Sequence, residues 1–229
     1  MSWDALFCKR INIESVPRRG EGVTVHTTHS RGEEEFSDVL LRTGSLKFGT
    51  FKLASGMLSS YYVDLRLIPS DPEAFRRVIN FYRTVVEPKL AKQVQRLAGI
   101  PTAGIAYAAV LAFDLSKPFL YVRKETKEHG RGRRIEGLLQ PGDKVLVLDD
   151  VVTTGKNIIE AVEAIRAEGG VVEDAIVLLD RQQGGERNLR KIGVKLHAFT
   201  TMRRIADRLV AVGTIDERQY REIIGQIVS

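Results

Sequence analysis

The sequence predicts an α/β fold, a mostly parallel sheet flanked by helices, and three observations carry that reading. The run Lys144-Val145-Leu146-Val147-Leu148 is apolar almost throughout, as in a strand buried on both faces of a parallel sheet. From about Lys156 the apolar residues Ile158, Val162 and Ile165 recur at helical spacing, and Gly169-Gly170 stops that helix. Residues 174–179 then form a second apolar run. Strand, helix and strand in this order make a β-α-β unit.

The remaining elements follow along the chain. Residues 1–36 are polar and aperiodic and read as an N-terminal extension, disordered or loosely packed, ahead of a domain over 37–229. They include His26 and His29, a weak metal signal without further ligands. Residues 36–44 suggest a short helix ending at Gly44. Residues 48–53 and 61–65 alternate like strands, with Ser55-Gly56 between them. Asp71-Pro72-Glu73 starts a helix that runs to about Leu90, with Pro88 placed to bend or end it. Residues 99–104 form a loop, and a helix of small apolar residues follows through Phe113. Residues 119–122 read as a strand. Residues 123–137 carry six basic residues, three acids and three glycines, and read as a mobile cationic surface loop. The last thirty residues read as two helices, one over 202–210 and one capped by Asp216.

Composition narrows the function. With 229 residues, 43% hydrophobic and 28% charged, the chain is globular and long enough for a proper core. The longest apolar run, residues 105–113, is half of what a membrane span needs. Cys8 is the only cysteine, so no internal disulfide forms, in keeping with a reducing, cytoplasmic setting. Beyond residue 36 the chain holds 30 basic against 23 acidic residues. Such a body attracts phosphate-rich substrates, nucleic acid or anionic lipid, and composition does not choose among them.

The chemistry gathers behind the 144–148 strand. In open α/β sheets ligands bind beyond the carboxyl ends of the strands. Asp149 and Asp150 arrive there, followed by Val151, Val152, Thr153, Thr154, Gly155, Lys156 and Asn157 at a helix N-terminus. Open amides and the helix dipole favour a phosphate, and paired carboxylates beside it suit the hydroxyls of a ribose phosphate. A Walker A loop is excluded, because Asp150 stands where it needs glycine and Asn157 where it needs Ser or Thr.

The stretch from Val145 to Gly155 resembles the phosphoribosyl pyrophosphate signature of the type I phosphoribosyltransferases. The loop Arg123-Lys124-Glu125-Thr126-Lys127-Glu128-His129-Gly130 resembles the catalytic loop of the orotate phosphoribosyltransferase family, including the form fused to a decarboxylase in UMP synthase. Residues 179–185, with Arg181, and the motifs Leu53-Ala54-Ser55-Gly56 and Tyr61-Tyr62-Val63-Asp64-Leu65-Arg66 are similar to that family too.

That resemblance implies orotate and phosphoribosyl pyrophosphate as substrates, a step of pyrimidine biosynthesis, and a small hood built from residues near 37–70 and the C-terminal part. Asp149 and Asp150 would hold the ribose hydroxyls, and residues 151–157 the 5′-phosphate. Arg123, Lys124, Lys127 and His129 would grip the pyrophosphate, with Lys127 and Asp150 as catalytic residues. Thr153, Arg181 and Tyr62 would contact orotate. Mg2+ would be bound mainly through the substrate pyrophosphate, with no metal site of the protein's own. The family also implies a homodimer in which loop 123–137 acts in trans, with no nucleic-acid or membrane partner. Two alternatives stay open: a phosphoribosyltransferase for another base, or a nucleic-acid regulator that binds phosphoribosyl pyrophosphate. Ala54 and Ala103 stand where bacterial relatives often carry lysine. Lys52, two residues before Ala54 on one strand face, is the sequence-based candidate to replace the first of these.

Overall fold

Ser30 and Glu33 start the first helix with a reciprocal cap. The Glu33 amide donates to the Ser30 hydroxyl, and the Ser30 amide donates to the Glu33 carboxylate at 3.0 Å. The computed structural model describes residues 30–52, 58–86, 90–124 and 134–227. Helix α1 (Arg31–Arg42) begins ahead of the expected start at Phe36 and runs across the expected boundary after residue 36. The charged run before Phe36 is a capped first turn, not an arm, because Glu33 and Phe36 both face inward. The Arg204 guanidinium and the Thr200 hydroxyl donate to the Glu33 carboxylate. Burial alone would raise the pKa of Glu33, but these bonds and the Ser30 amide outweigh it and bring it down to about 2.

Strands β1 (Leu46–Lys52) and β2 (Leu58–Val63) form an antiparallel hairpin with Leu46 opposite Val63. Residues 53–57 lie outside the described residues, and with them Ala54 and Ser55-Gly56. A 3-10 helix, Leu65–Ser70, follows, capped by Asp64, so Leu65 is helical rather than part of the strand expected over 61–65. The last helix of the chain, Glu217–Ile224, packs on β2. Beyond it the Gln226 side chain accepts from Ser59 Oγ at 2.9 Å and donates to Ser60 Oγ at 3.0 Å. The hood is thus built from both ends of the described chain.

The body alternates helices and strands: α2 (Pro72–Val86), α3 (Leu90–Gln93), β3 (Arg96–Gly99), α4 (Ala103–Asp114), β4 (Phe119–Val122), β5 (Ile135–Glu136), β6 (Val145–Leu148) and β7 (Val151–Val152). Then come α5 (Lys156–Ala167), β8 (Asp174–Asp180), α6 (Gly185–Lys191), β9 (Lys195–Thr201), α7 (Met202–Ala211) and α8 (Glu217–Ile224). The helix expected to reach about Leu90 is described over Pro72–Val86, and Pro88, expected to bend or end it, lies outside the described residues. Across the sheet the strands run β5, β4, β3, β6, β8, β9, all parallel except β5. β7 continues along β8 in the register β6 began: Val147 faces Ala175 and Val151 faces Leu179. The expected surface loop over 123–137 is shorter at its far end, because buried Ile135 pairs with Val122 and anchors β5.

Side-chain alternation on β6 builds two cores. Leu146 and Leu148 pack with α2, α4 and α7, and Val145 and Val147 pack with α5 on the opposite face. Helices therefore cover both faces, which is why the strand reads as continuously apolar. No helix among the described residues is long and apolar enough to cross a membrane.

Candidate active site

Asp149 and Asp150 occupy the break between β6 and β7, at the carboxyl edge of the sheet. The Asp149 amide donates to the Ile176 carbonyl at 3.1 Å, and the Asp150 carbonyl accepts from Leu178. The dyad is thus held in register by β8 on one side. From the core, the hydroxyl of fully buried Tyr82 donates to the Asp149 carbonyl at 2.8 Å. Gly104, in the first turn of α4, allows that helix to close on the dyad. A Cβ there would lie 2.7 Å from the Leu148 carbonyl oxygen and 3.1 Å from Asp149 Cα.

Backbone amides reach both carboxylates: Asp150 N donates to Asp149 Oδ1 at 3.0 Å, and Val151 N to Asp150 Oδ1 at 2.9 Å. Burial, and for Asp149 the neighbouring Asp150 charge, hold both pKa values above the ordinary aspartate range. Carboxylates in that state favour any ligand that brings hydroxyl donors or positive charge.

Residues 151–158 wrap a small cavity of about 100 Å3. Gly155, at φ 81°, turns the chain into α5 and leaves the first amides of that helix without a side-chain cap. Helix α6 supports this loop from behind. Asn188 donates to the Thr154 carbonyl at 3.0 Å, and Gly185 is so close that a Cβ would meet Val152 Cγ2 at 2.6 Å. Eight residues wrapping an uncapped helix start have the geometry that suits a phosphate.

A second cleft, of about 200 Å3, lies between the ends of β3 and β4 and the start of α5. Arg123, Lys124, Arg134 and Lys156 give it a cationic wall. Arg123 also pairs with Glu136 at 3.0 Å, and Arg134 donates to the Arg123 carbonyl at 3.1 Å, so the end of β4 is tied to the start of β5. The peptide bond between Pro101 and Thr102, on the rim, is cis.

A third cleft, the largest of these at about 310 Å3, joins the parts. Tyr62, Asp64, Arg66, Lys124, Asp149, Asp150, Thr153, Asn157 and Arg181 all line it. The structure so brings together Asp149, Asp150, Lys124, residues 151–157, Tyr62 and Arg181 across these adjoining clefts, with Arg123 in the cationic one. Lys127 and His129 lie outside the described residues, as do His26 and His29. Arg181 is buried against the hood. Its Nε donates to Tyr61 Oη at 3.1 Å and its guanidinium lies 4.6 Å from the Tyr61 ring centroid. Among the described residues it has no carboxylate partner, so its charge is available to a ligand in the cleft.

Two further residues line the cleft; the sequence placed them in a family-like motif, residues 61–66, without giving them a role. Asp64 and Arg66 sit where β2 passes into the 3-10 helix that Asp64 caps. Lys52, the sequence-based candidate beside Ala54, is exposed at the end of β1 opposite Leu58 and does not line this cleft. Among the described residues no group of three or more His, Cys, Asp or Glu could hold a metal ion. The paired carboxylates of Asp149 and Asp150 are hard-oxygen donors, which suits Mg2+ only if a ligand supplies the rest of its shell.

Comparison with known proteins gives a consistent picture. Residues 73–207 match the phosphoribosyl transferase domain model. The chain is 46% identical over 188 residues to orotate phosphoribosyltransferase of Pyrobaculum islandicum, covering 82% of this chain and 95% of that protein. The crystal structure of orotate phosphoribosyltransferase from Aeropyrum pernix is similar at 36% identity with a TM-score of 0.71, covering 79% of this chain and 99% of that one. Leishmania donovani UMP synthase is similar at 29% identity with a TM-score of 0.76, covering 86% of this chain and 42% of that one.

Proposed function

Because the chain belongs to the phosphoribosyl transferase domain family, and within it to the orotate phosphoribosyltransferases, we propose that its cleft joins orotate to phosphoribosyl pyrophosphate. The products are orotidine 5′-monophosphate and pyrophosphate, a step of pyrimidine biosynthesis. The bond from C1′ to the pyrophosphate oxygen breaks, a bond from C1′ to N1 of the base forms, and the N1 proton leaves to solvent. One observation carries this reading: a carboxylate dyad, a phosphate cradle, a cationic wall and a buried arginine meet in adjoining clefts.

Each part has a task. Asp149 and Asp150 accept hydrogen bonds from the ribose hydroxyls, and the amides of residues 151–157 hold the 5′-phosphate. Arg123 and Lys124, with Lys127 and His129, face the pyrophosphate. Negative charge grows on that group as it departs, so cations fixed there lower the barrier more than they tighten ground-state binding. Tyr62, Thr153 and Arg181 take the base. Mg2+, when bound through pyrophosphate oxygens, supplies further charge neutralisation at the leaving group.

The working unit is a homodimer in the cytoplasm, with loop 123–137 completing the partner's site. An apolar outer face on α4 supports the dimer: Phe113 is 88% exposed and Val110, one turn earlier, 39%. The test of the reaction is direct. Orotate absorbance should fall when phosphoribosyl pyrophosphate and Mg2+ are added. Activity with a purine base and none with orotate would sink the assignment and leave the fold intact.

A further inference from the structure

We propose that Arg66 is the cation that receives the carboxylate of the base and so sets the preference for orotate over a plain pyrimidine. This rests on the orotate reading above and adds a residue to it. The geometry begins with the arginine itself. Arg66 Nε donates to Asp64 Oδ1 at 2.6 Å, and Nη2 donates to Asp64 Oδ2 at 2.7 Å. This fork-to-fork pair fixes the plane of the guanidinium. The second Nη2 hydrogen goes to Tyr62 Oη at 3.2 Å. Nε and Nη2 are then fully used, while Nη1 has no hydrogen-bond partner among the described residues. The side chain lines the central cleft and is 57% exposed, so a ligand can reach that edge.

The chemistry of the base says where such a cation must stand. The carboxylate of orotate is on C6, next to N1, and N1 is the atom that bonds to C1′ of the ribose. The carboxylate therefore lies at the ribose end of the base, next to the bond that forms. Arg66 is within electrostatic reach of Asp150. Arg181 is buried against the hood wall, where it donates to Tyr61 at 3.1 Å and to Ser59 at 3.4 Å, and its remaining donors are placed for the ring. Ala54 offers no charge, and Lys52 does not line the cleft. Asp64 does not repel the carboxylate, because Arg66 already neutralises it.

Orotidine 5′-monophosphate and uridine 5′-monophosphate differ only in that carboxylate. The experiment measures binding of both to the full chain by calorimetry, for wild type, Arg66→Ala, Arg66→Lys and Lys52→Ala. Wild type should prefer the carboxylated nucleotide. Arg66→Ala should reduce that preference by about tenfold or more, the worth of a charge-assisted hydrogen bond. Uridine 5′-monophosphate should bind as before, Arg66→Lys should restore part of the preference, and Lys52→Ala should keep all of it. An unchanged preference in Arg66→Ala, an equal loss for both nucleotides, or a loss confined to Lys52→Ala would each overturn the proposal. Orotate turnover by wild type is measured alongside: its absence refutes the orotate reading, whereas turnover with an unaltered preference in Arg66→Ala refutes only the role of Arg66.

Discussion

Asp149 carries a cost that its function explains. A carboxylate held above its ordinary pKa by burial, and then by Asp150, destabilises the fold once it ionises. Protonated, it costs little: the favourable contribution is complete below the unfolded pKa and is lost as pH rises through the folded one. Asp149→Asn should therefore abolish turnover, since the ribose loses a charged acceptor, yet raise the thermal midpoint by about 2–4 °C at neutral pH. That gain should shrink toward acid pH and vanish below the unfolded aspartate range. A midpoint that falls, or a gain independent of pH, would count against this account. Much of the residue-level site was legible: two acids after a buried strand, then Thr-Thr-Gly, have few other uses. Of the neighbouring Tyr61 and Tyr62 the resemblance singled out Tyr62, and in space Tyr61 is buried under Arg181 while Tyr62 lines the cleft. Arg66 stood in the family-like motif over 61–66 without a role, because only the turn after β2 shows that its side chain enters the cleft.

Among the elements, α6 acts as the brace of the phosphate cradle. Gly185→Ala would drive a methyl group into Val152 and to 3.0 Å from the Thr153 carbonyl oxygen, forcing the loop outward. Saturation kinetics should show the KM for phosphoribosyl pyrophosphate raised at least several-fold, with orotate affected less. An unchanged KM would show that the loop is not held from behind. The first helix gives a second test. A chain beginning at Phe36 lacks the Ser30 cap and Glu33, and leaves Arg204 and Thr200 without their acceptor. It should lose about 1–3 kcal/mol in denaturant unfolding relative to a chain beginning at Thr28. Equal stability would return α1's first turn to the status of a polar arm. The β6–α5–β8 unit was plain in the sequence because buried parallel strands leave long apolar runs. β3, α6 and β9 were not. β3 has four residues, α6 opens on glycine and is mostly charged, and β9 lies at the sheet edge with Lys195 exposed and His197 bonded to Asp174 at 2.6 Å. Short, polar or edge elements carry little periodicity.

For the whole molecule, the question is whether one site draws on two chains. If loop 123–137 acts in trans, Lys127 and Asp150 of one site come from different subunits. Lys127→Ala and Asp150→Ala should each be nearly inactive alone. After subunit exchange about half the dimers are mixed, each with one sound site, so activity should recover to about a quarter of wild type if the sites are independent. No recovery despite proven exchange would place the loop in cis. The fold and site also divide unequally in mechanical terms. The dyad is threaded into the centre of the sheet, where the Asp149 amide is bonded to Ile176 between fully buried strands. On the cationic side, the Arg123 amide is bonded at 2.8 Å to Arg134, beside a strand of only two residues at the sheet margin. In heavy water, the Asp149 amide should exchange its hydrogen only when the entire protein opens, and the Arg123 amide through local fraying many times faster. The enzyme would then grip the sugar with its most permanent part and release the leaving group from its most easily opened one.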